Sequence, residues 1–291
     1  MKTLTGSGVA LITPFNEDDT LDIQSLDKLI EYQISGGIDY IVALGTTGET
    51  ATLNKKEKQE IFKTIAEKVN GRVPLIAGIG GNNTKDILDE FDYFDLAEYS
   101  AILSVGPYYN RPTQEGIFQH YKALAEASPL PIILYNVPAR TGSNIEAETT
   151  IRLANNFKNI IGIKEASGNF HQYTAIMRDK SANFFLISGD DALLLPMAAI
   201  GASGVISVLA NAFPNQVSRL AKMCNENNFE EARKIHNMLS KIIDLCFVEG
   251  NPAGVKAILK QLNICGEKVR LPLTPVSDET RNNIIRELKN F

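Results

Sequence analysis

The sequence has no tryptophan and, in 291 residues, only three cysteines and three histidines. Each scarcity closes off a class of function. Cys224, Cys246 and Cys265 all lie in the last quarter of the chain, and an odd number of widely separated thiols argues against a disulfide framework. Their spacing also suits no metal motif, so they read as reduced, mostly buried thiols. His120, His171 and His236 are far apart in helical segments and lack zinc spacing, so they are expected to be structural or exposed, with no metal site. No apolar run reaches the ~18–20 residues of a membrane span. The first six residues have neither the apolar core nor the small-residue cleavage site of a signal peptide, which predicts a cytoplasmic protein. Positive charge is scarce too. The net charge is −5, with Lys+Arg 29 against Asp+Glu 34, and no basic block offers itself to nucleic acid. Gly78-Ile79-Gly80-Gly81-Asn82-Asn83 lacks the third glycine of a dinucleotide fingerprint, and no phosphate loop with its Gly-Lys pair occurs.

What remains is the composition of a soluble globular protein, 44% hydrophobic and 22% charged, with a mean hydropathy of −0.08. Its length fits one large α/β barrel, or a barrel with a small appendage, better than a single small domain. Eight β-rich segments recur, at 9–13, 40–44, 74–79, 101–105, 131–137, 160–164, 184–188 and 204–209. Most are nearly continuous apolar runs, as in parallel strands covered on both faces. Helical patterns separate them. Thr20 or Asp22 can start the first, and Gly36-Gly37 ends it. Asn54 and Glu57 form a capping pair ahead of Ile61, Ile65 and Val69, with Asn70-Gly71 as the stop. Thr84 can cap a helix carrying Ile87, Leu88 and Phe91, and Asp190 or Asp191 one running through Leu194 and Met197. Strands alternating with helices predict a (β/α)8 TIM barrel over residues 1–224. From 225 to 291 no strand candidate appears, and stretches 229–247, 252–262 and 277–288 predict a C-terminal extension of three helices.

In such a barrel the chemistry sits at the C-terminal ends of the strands. The second strand runs into Gly45-Thr46-Thr47-Gly48-Glu49-Thr50, and the fourth into Gly106-Pro107-Tyr108-Tyr109-Asn110-Arg111. The fifth gives Tyr135-Asn136-Val137-Pro138-Ala139-Arg140-Thr141-Gly142, the sixth Lys164-Glu165, and the seventh Ser188-Gly189-Asp190-Asp191. Lys164 is the sharpest signal, because it closes an apolar strand and lysine is almost never buried without a partner or a purpose. Desolvation favours a neutral amine, which attacks carbonyls; the competing reading is a salt bridge to Glu165 or another rim carboxylate. Iminium chemistry also needs a proton shuttle. Tyr135 is the candidate, with Thr46 and Tyr109 as hydroxyl neighbours, against the reading of Tyr135 as a packing aromatic. Thr47 and the backbone of the Gly45–Gly48 turn suit a small carboxylate, and Arg140 offers a planar fork for a second one. A simple turn and a surface arginine are the plainer alternatives. Asp190 and Asp191 fit a helix cap better than a catalytic carboxylate pair.

At these residues the chain resembles the dihydrodipicolinate synthase family of the N-acetylneuraminate lyase superfamily. The shared pieces are Gly45-Thr46-Thr47-Gly48-Glu49, Pro107-Tyr108-Tyr109-Asn110-Arg111-Pro112, Tyr135-Asn136-Val137-Pro138, Arg140-Thr141-Gly142 and Gly162-Ile163-Lys164-Glu165-Ala166. Ser188-Gly189-Asp190-Asp191, Gly204-Val205-Ile206-Ser207 and Leu271-Pro272-Leu273-Thr274-Pro275 extend the match along the chain. The resemblance implies a class I aldolase-like lyase without a cofactor. It would condense pyruvate with L-aspartate 4-semialdehyde to 4-hydroxy-tetrahydrodipicolinate, on the diaminopimelate route to lysine. Lys164 would form the Schiff base and Tyr135 would move the protons, with Thr46 and Tyr109 completing the relay. Tyr109 would reach into a neighbouring subunit, in a homotetramer built as a dimer of dimers. Thr47 and the backbone at Ile206 would hold the pyruvate carboxylate, Gly189 would join the substrate-binding positions, and Arg140 would hold the semialdehyde carboxylate.

Many members are inhibited by L-lysine at a dimer-interface pocket. Thr50, Ala51, Asn82, Asp86 and Tyr108 fall at matching positions, while Lys55 and Lys58 stand where sensitive members often carry histidines. Two added cations oppose an ammonium ligand, so weak inhibition is the expectation. The alternatives are a sister pyruvate aldolase, such as N-acetylneuraminate lyase or a keto-deoxy-sugar aldolase, and a non-catalytic barrel that only binds a keto acid. Arg140 and the Tyr108-Tyr109 pair favour a short, charged aldehyde over a polyol, and every expected relay group is present.

Overall fold

The computed structural model describes residues 4–291. Met1, Lys2 and Thr3, which open the stretch read for a signal peptide, lie outside the described residues. The apolar segments form parallel strands β1 (Gly6–Ala10), β2 (Tyr40–Ala43), β3 (Leu75–Gly78), β4 (Ala101–Val105), β5 (Ile132–Asn136), β6 (Ile160–Glu165), β7 (Phe185–Ser188) and β8 (Gly204–Ser207). Each pairs with the next, and β8 returns to β1 to close the barrel. Side chains alternate between two apolar clusters, which is why the strands read as continuous apolar runs. Tyr40, Val42, Ile76, Leu103, Ile133, Ile187 and Ile206 fill the interior. Ile41, Leu75, Ile102, Leu134, Ile163 and Val205 face outward under the helices.

Helices α1 (Ile23–Ser35), α2 (Lys55–Val69), α3 (Thr84–Tyr93), α4 (Gln114–Ala127), the single turn α5 (Pro138–Thr141), α6 (Ala147–Asn156), α7 (Phe170–Asp179), α8 (Leu194–Ala199) and α9 (Pro214–Asn225) fill the crossovers. Three more follow: α10 (Phe229–Phe247), α11 (Ala253–Gln261) and α12 (Asp278–Glu287). The expected start of the extension, residue 225, is the last residue of α9. α10 buries Ala232, Ile235, Leu239, Ile242, Ile243 and Cys246, while α11 is buried from Ala253 to Leu259. All three cysteines are free and buried. No helix among the described residues is long and apolar enough to cross a membrane.

The local signals work as their chemistry dictates, with corrections. Asp22 caps α1 by accepting from the Ser25 N–H at 2.9 Å. Asn54 and Glu57 form the full reciprocal box on α2. For α3 the cap is Asn83, not Thr84; the Thr84 hydroxyl instead meets His120 Nδ1 at 2.8 Å. Asp190 caps the turn that enters α8, while Asp191 is buried. The first strand lies three residues earlier than expected, because Gly6-Ser7-Gly8 carries no apolar signal. Small residues are needed there: a Cβ at Gly8 would strike the buried Tyr40 ring. The eighth strand stops two residues early. The Asp191 carboxylate accepts from the N–H groups of Val208 and Leu209 and from the Ser207 hydroxyl, drawing the chain out of the ladder.

Barrel closure has one tight point. A Cβ at Gly204 would collide with the Gly6 carbonyl oxygen across the β8–β1 seam. We therefore expect Gly204→Ala to lower the melting temperature by well over the ~2–4 °C that 1 kcal/mol shifts in a large domain. An unchanged melting temperature in scanning calorimetry contradicts this account of the seam.

Candidate active site

Pairing between β5 and β6 is not uniform. Ile132 pairs with Ile160, but Ile133 pairs with Gly162, so β6 advances two residues while β5 advances one. A one-residue slip exchanges the two faces of a strand. Beyond the slip, Tyr135 pairs with Lys164, and Ile163 turns outward. Lys164 is only 5% exposed, and its ammonium nitrogen lies 4.3 Å from the centre of the Tyr135 ring. Gly189, at the end of β7, leaves room for this chain: a Cβ there would sit 2.8 Å from Ala166 Cβ and 3.0 Å from Lys164 Cε.

The salt-bridge reading of Lys164 fails. Glu165 points the other way and accepts from Asn136 Nδ2 at 3.0 Å, Gln172 Nε2 at 2.5 Å and the Ser167 N–H at 3.3 Å. Burial raises its carboxyl above the ordinary range, against the pull of those hydrogen bonds. Lys164 is in no ion pair among the described residues. A second buried lysine provides the contrast. Lys256, fully buried on α11, binds Glu49 at 2.5 Å and the Lys268 carbonyl at 2.7 Å. Burial depresses its ammonium, while Glu49 opposes the shift. Its donors are committed; those of Lys164 are not.

Beyond β2 the chain turns sharply. Leu44 and Glu49, with φ of 56° and 54°, flank the single 3-10 turn Thr46–Gly48. Positive φ in non-glycine residues costs energy and marks a position that the surroundings over-determine. The N–H groups of Gly48 and Glu49 close the turn, leaving those of Thr46 and Thr47 bound to no protein carbonyl among the described residues. Thr47 is buried, and its Oγ1 accepts from Asn251 Nδ2 at 2.9 Å. The turn thus presents two free N–H groups and two hydroxyls, a donor set for a carboxylate.

A cavity of about 570 Å³ opens at this end of the barrel. Thr46, Tyr135 and Arg140 line it, together with Thr50, Ala51, Lys58 and Tyr108. Arg140 is exposed on α5 and is in no ion pair among the described residues. Ile206 is buried inside the barrel on β8. Tyr109 is not brought to Tyr135 within the chain. It is 88% exposed with φ of 69°, on a loop fastened by its own N–H to the Thr141 carbonyl and by Arg111 Nε to the Gly142 carbonyl. Of the seven positions matched to a lysine pocket, Thr50, Ala51, Lys58 and Tyr108 line this cavity, while Lys55, Asn82 and Asp86 are not among its lining residues. Lys58 pairs with Glu90 at 3.3 Å, and Lys55 lies 5.4 Å from the Tyr93 ring centre. The Asn82 carbonyl accepts from Asn110, and Asp86 is exposed on α3.

The sequence reading gave no role to Asn251, Glu49 or Lys256, and took Asp191 only as a helix-cap candidate. Lys256 carried a usable signal, a lone charge in Val255-Lys256-Ala257-Ile258-Leu259, the same argument that singled out Lys164. Nothing local marks Asn251.

Comparison with known proteins agrees with this geometry. The Dihydrodipicolinate synthetase family matches residues 3–291. A 4-hydroxy-tetrahydrodipicolinate synthase of Phocaeicola vulgatus is 50% identical over 289 residues, covering 98% of this chain and 97% of the relative. The crystal structure of dihydrodipicolinate synthase from Aquifex aeolicus superposes with a TM-score of 0.95 at 39% identity, covering 98% of this chain and 97% of that one. The chloride-inhibited enzyme from Acinetobacter baumannii, complexed with pyruvate, gives 0.96 at 39% identity, with 99% of each chain covered. Likeness over nearly the whole length, on the same closed barrel, decides the matter: the chain belongs to the dihydrodipicolinate synthetase family.

Proposed function

We propose that the protein is a lyase of the cytoplasm that condenses pyruvate with L-aspartate 4-semialdehyde through a Schiff base on Lys164. The observation that carries this reading is the buried, unpaired Lys164 amine facing Tyr135, whose ring lines one cavity with the donor turn at Gly45, Thr46 and Glu49. Attack of Nζ on the pyruvate ketone gives a carbinolamine, which loses water to form an iminium. Removal of a methyl proton gives the enamine, whose carbon adds to the semialdehyde carbonyl. The semialdehyde's own amine then displaces Lys164 from the iminium carbon, closing the ring of 4-hydroxy-tetrahydrodipicolinate and freeing the enzyme amine. Every step moves a proton, and Tyr135, with Thr46 beside the same cavity, is the group to move it. Thr47 and the free N–H groups of its turn, with the backbone at Ile206 and the space at Gly189, receive the pyruvate carboxylate. Arg140, at the cavity mouth, takes that of the semialdehyde by a two-pronged contact.

Tyr109 joins the relay from a second copy of the chain, in a homotetramer of tight dimers. Its support is an exposed phenol on a strained, well-fastened loop, a costly arrangement for a residue with nothing to reach.

Three outcomes follow from this reading. Borohydride with pyruvate should add one reduced pyruvyl group at Lys164 and none at Lys256, located by peptide mass mapping; Lys164→Ala should abolish both adduct and turnover. An adduct on another lysine contradicts the mechanism. Tyr109→Phe should lower kcat by about 10²-fold or more, the ordinary loss for a proton-transfer group, while sedimentation shows an unchanged oligomer. A fully active monomer contradicts its placement across the interface. L-Lysine should inhibit weakly, because Lys55 and Lys58 add cations near an ammonium ligand; half-inhibition below about 1 mM contradicts this.

A further inference from the structure

The helices beyond the barrel reach the active site from behind. Glu49, the last residue of the Gly45–Glu49 turn, borders the cavity, is 4% exposed and has both carboxylate oxygens engaged by residues of the C-terminal segment. One oxygen accepts from Lys256 at 2.5 Å and the other from the Arg270 N–H at 3.0 Å. Lys256 also donates to the Lys268 carbonyl and lies 4.4 Å from the centre of the Phe15 ring. The Arg270 guanidinium covers the same ring at 4.3 Å and binds the Glu57 carboxylate and the Thr52 carbonyl. Asn251, just ahead of α11, holds Thr47. The middle and the last residue of the donor turn are thus fastened by residues more than 200 positions away in sequence.

The chemistry of these bonds bears on the site itself. With a lone pair of Thr47 Oγ1 taken by Asn251, the hydroxyl proton is left to donate elsewhere. With Glu49 fixed at φ of 54°, the backbone that carries the free Thr46 and Thr47 N–H groups is fixed as well. A buried ion pair is a poor device for stability, since apolar replacements of similar volume are often as stable. Its geometry is the part that an apolar pair cannot reproduce.

We propose that the Lys256–Glu49 ion pair, with the Asn251–Thr47 hydrogen bond, is a positioning device through which the C-terminal helices set the affinity of the turn for the pyruvate carboxylate. Glu49 and Asn251 border the cavity, and the role proposed for them runs through the turn: Lys256 holds Glu49, and Asn251 holds Thr47. The proposal rests on the lyase reading above, and its test separates the two.

The pyruvate concentration that half-saturates borohydride trapping is measured for the parent, Asn251→Ala, Glu49→Gln, Lys256→Met and the double variant Glu49→Gln/Lys256→Met, with melting temperatures alongside. Each folded variant should need about five- to tenfold more pyruvate, while KM for the semialdehyde stays within about twofold, the pattern of lost ground-state binding to one substrate. The double variant, with no unpaired buried charge, should melt above either single variant of the pair yet keep the weakened pyruvate binding. Asn251→Ala and the double variant carry the test if the single charge removals do not fold. Parent-like half-saturation in both overturns the proposal, as does affinity that recovers in step with melting temperature, which would make the pair merely structural. A parent that traps no pyruvate overturns the lyase reading, and the positioning role with it.

Discussion

One extra residue in β6 governs this molecule. Without the slip between Ile132–Ile133 and Ile160–Gly162, regular pairing would set Ile163 opposite Tyr135 and send Lys164 outward beneath the helices. With it, a lysine amine enters the barrel interior next to a phenol, and Glu165 takes the outward place. There the carboxylate meets Asn136 and Gln172, which hold it off the amine. A single register change therefore delivers the nucleophile and leaves it without a carboxylate partner. Gly189 completes the arrangement by leaving the space that Lys164 Cε occupies.

The two buried lysines show how little residue type alone decides. Both interrupt apolar sequence, and both lie in the protein interior. Lys256 meets a carboxylate and a carbonyl, so its nitrogen is held in place and ties the C-terminal helices to the Gly45–Glu49 turn. Lys164 meets the face of the Tyr135 ring and is in no ion pair among the described residues. Chemistry and architecture are divided between them.

Most of the architecture was legible because parallel strands buried on both faces write themselves as apolar runs, and because Asp22 and Asn54–Glu57 cap in the expected local way. The end strands were misplaced where packing, not propensity, sets the limit: Gly6-Ser7-Gly8 is a strand because Tyr40 lies over it, and β8 ends where Asp191 draws off its N–H groups. The rim residues Lys164, Tyr135, Thr46, Thr47 and Arg140 were legible from strand-end chemistry. Tyr109 was a different case, since the chain's own fold leaves it facing outward. Asn251 and the Glu49–Lys256 pair were not legible, because their partners are separated by more than 200 residues and no local pattern links them.

The most direct test of the central claim is a crystal structure of the enzyme after borohydride reduction in the presence of pyruvate. The account predicts a pyruvyl group covalently bound to Lys164 Nζ inside the barrel, beside the Tyr135 hydroxyl, with its carboxylate on the Thr46 and Thr47 N–H groups and the Thr47 hydroxyl. A β6 register that turns Lys164 outward, or a pyruvyl carboxylate seated away from that turn, would contradict it.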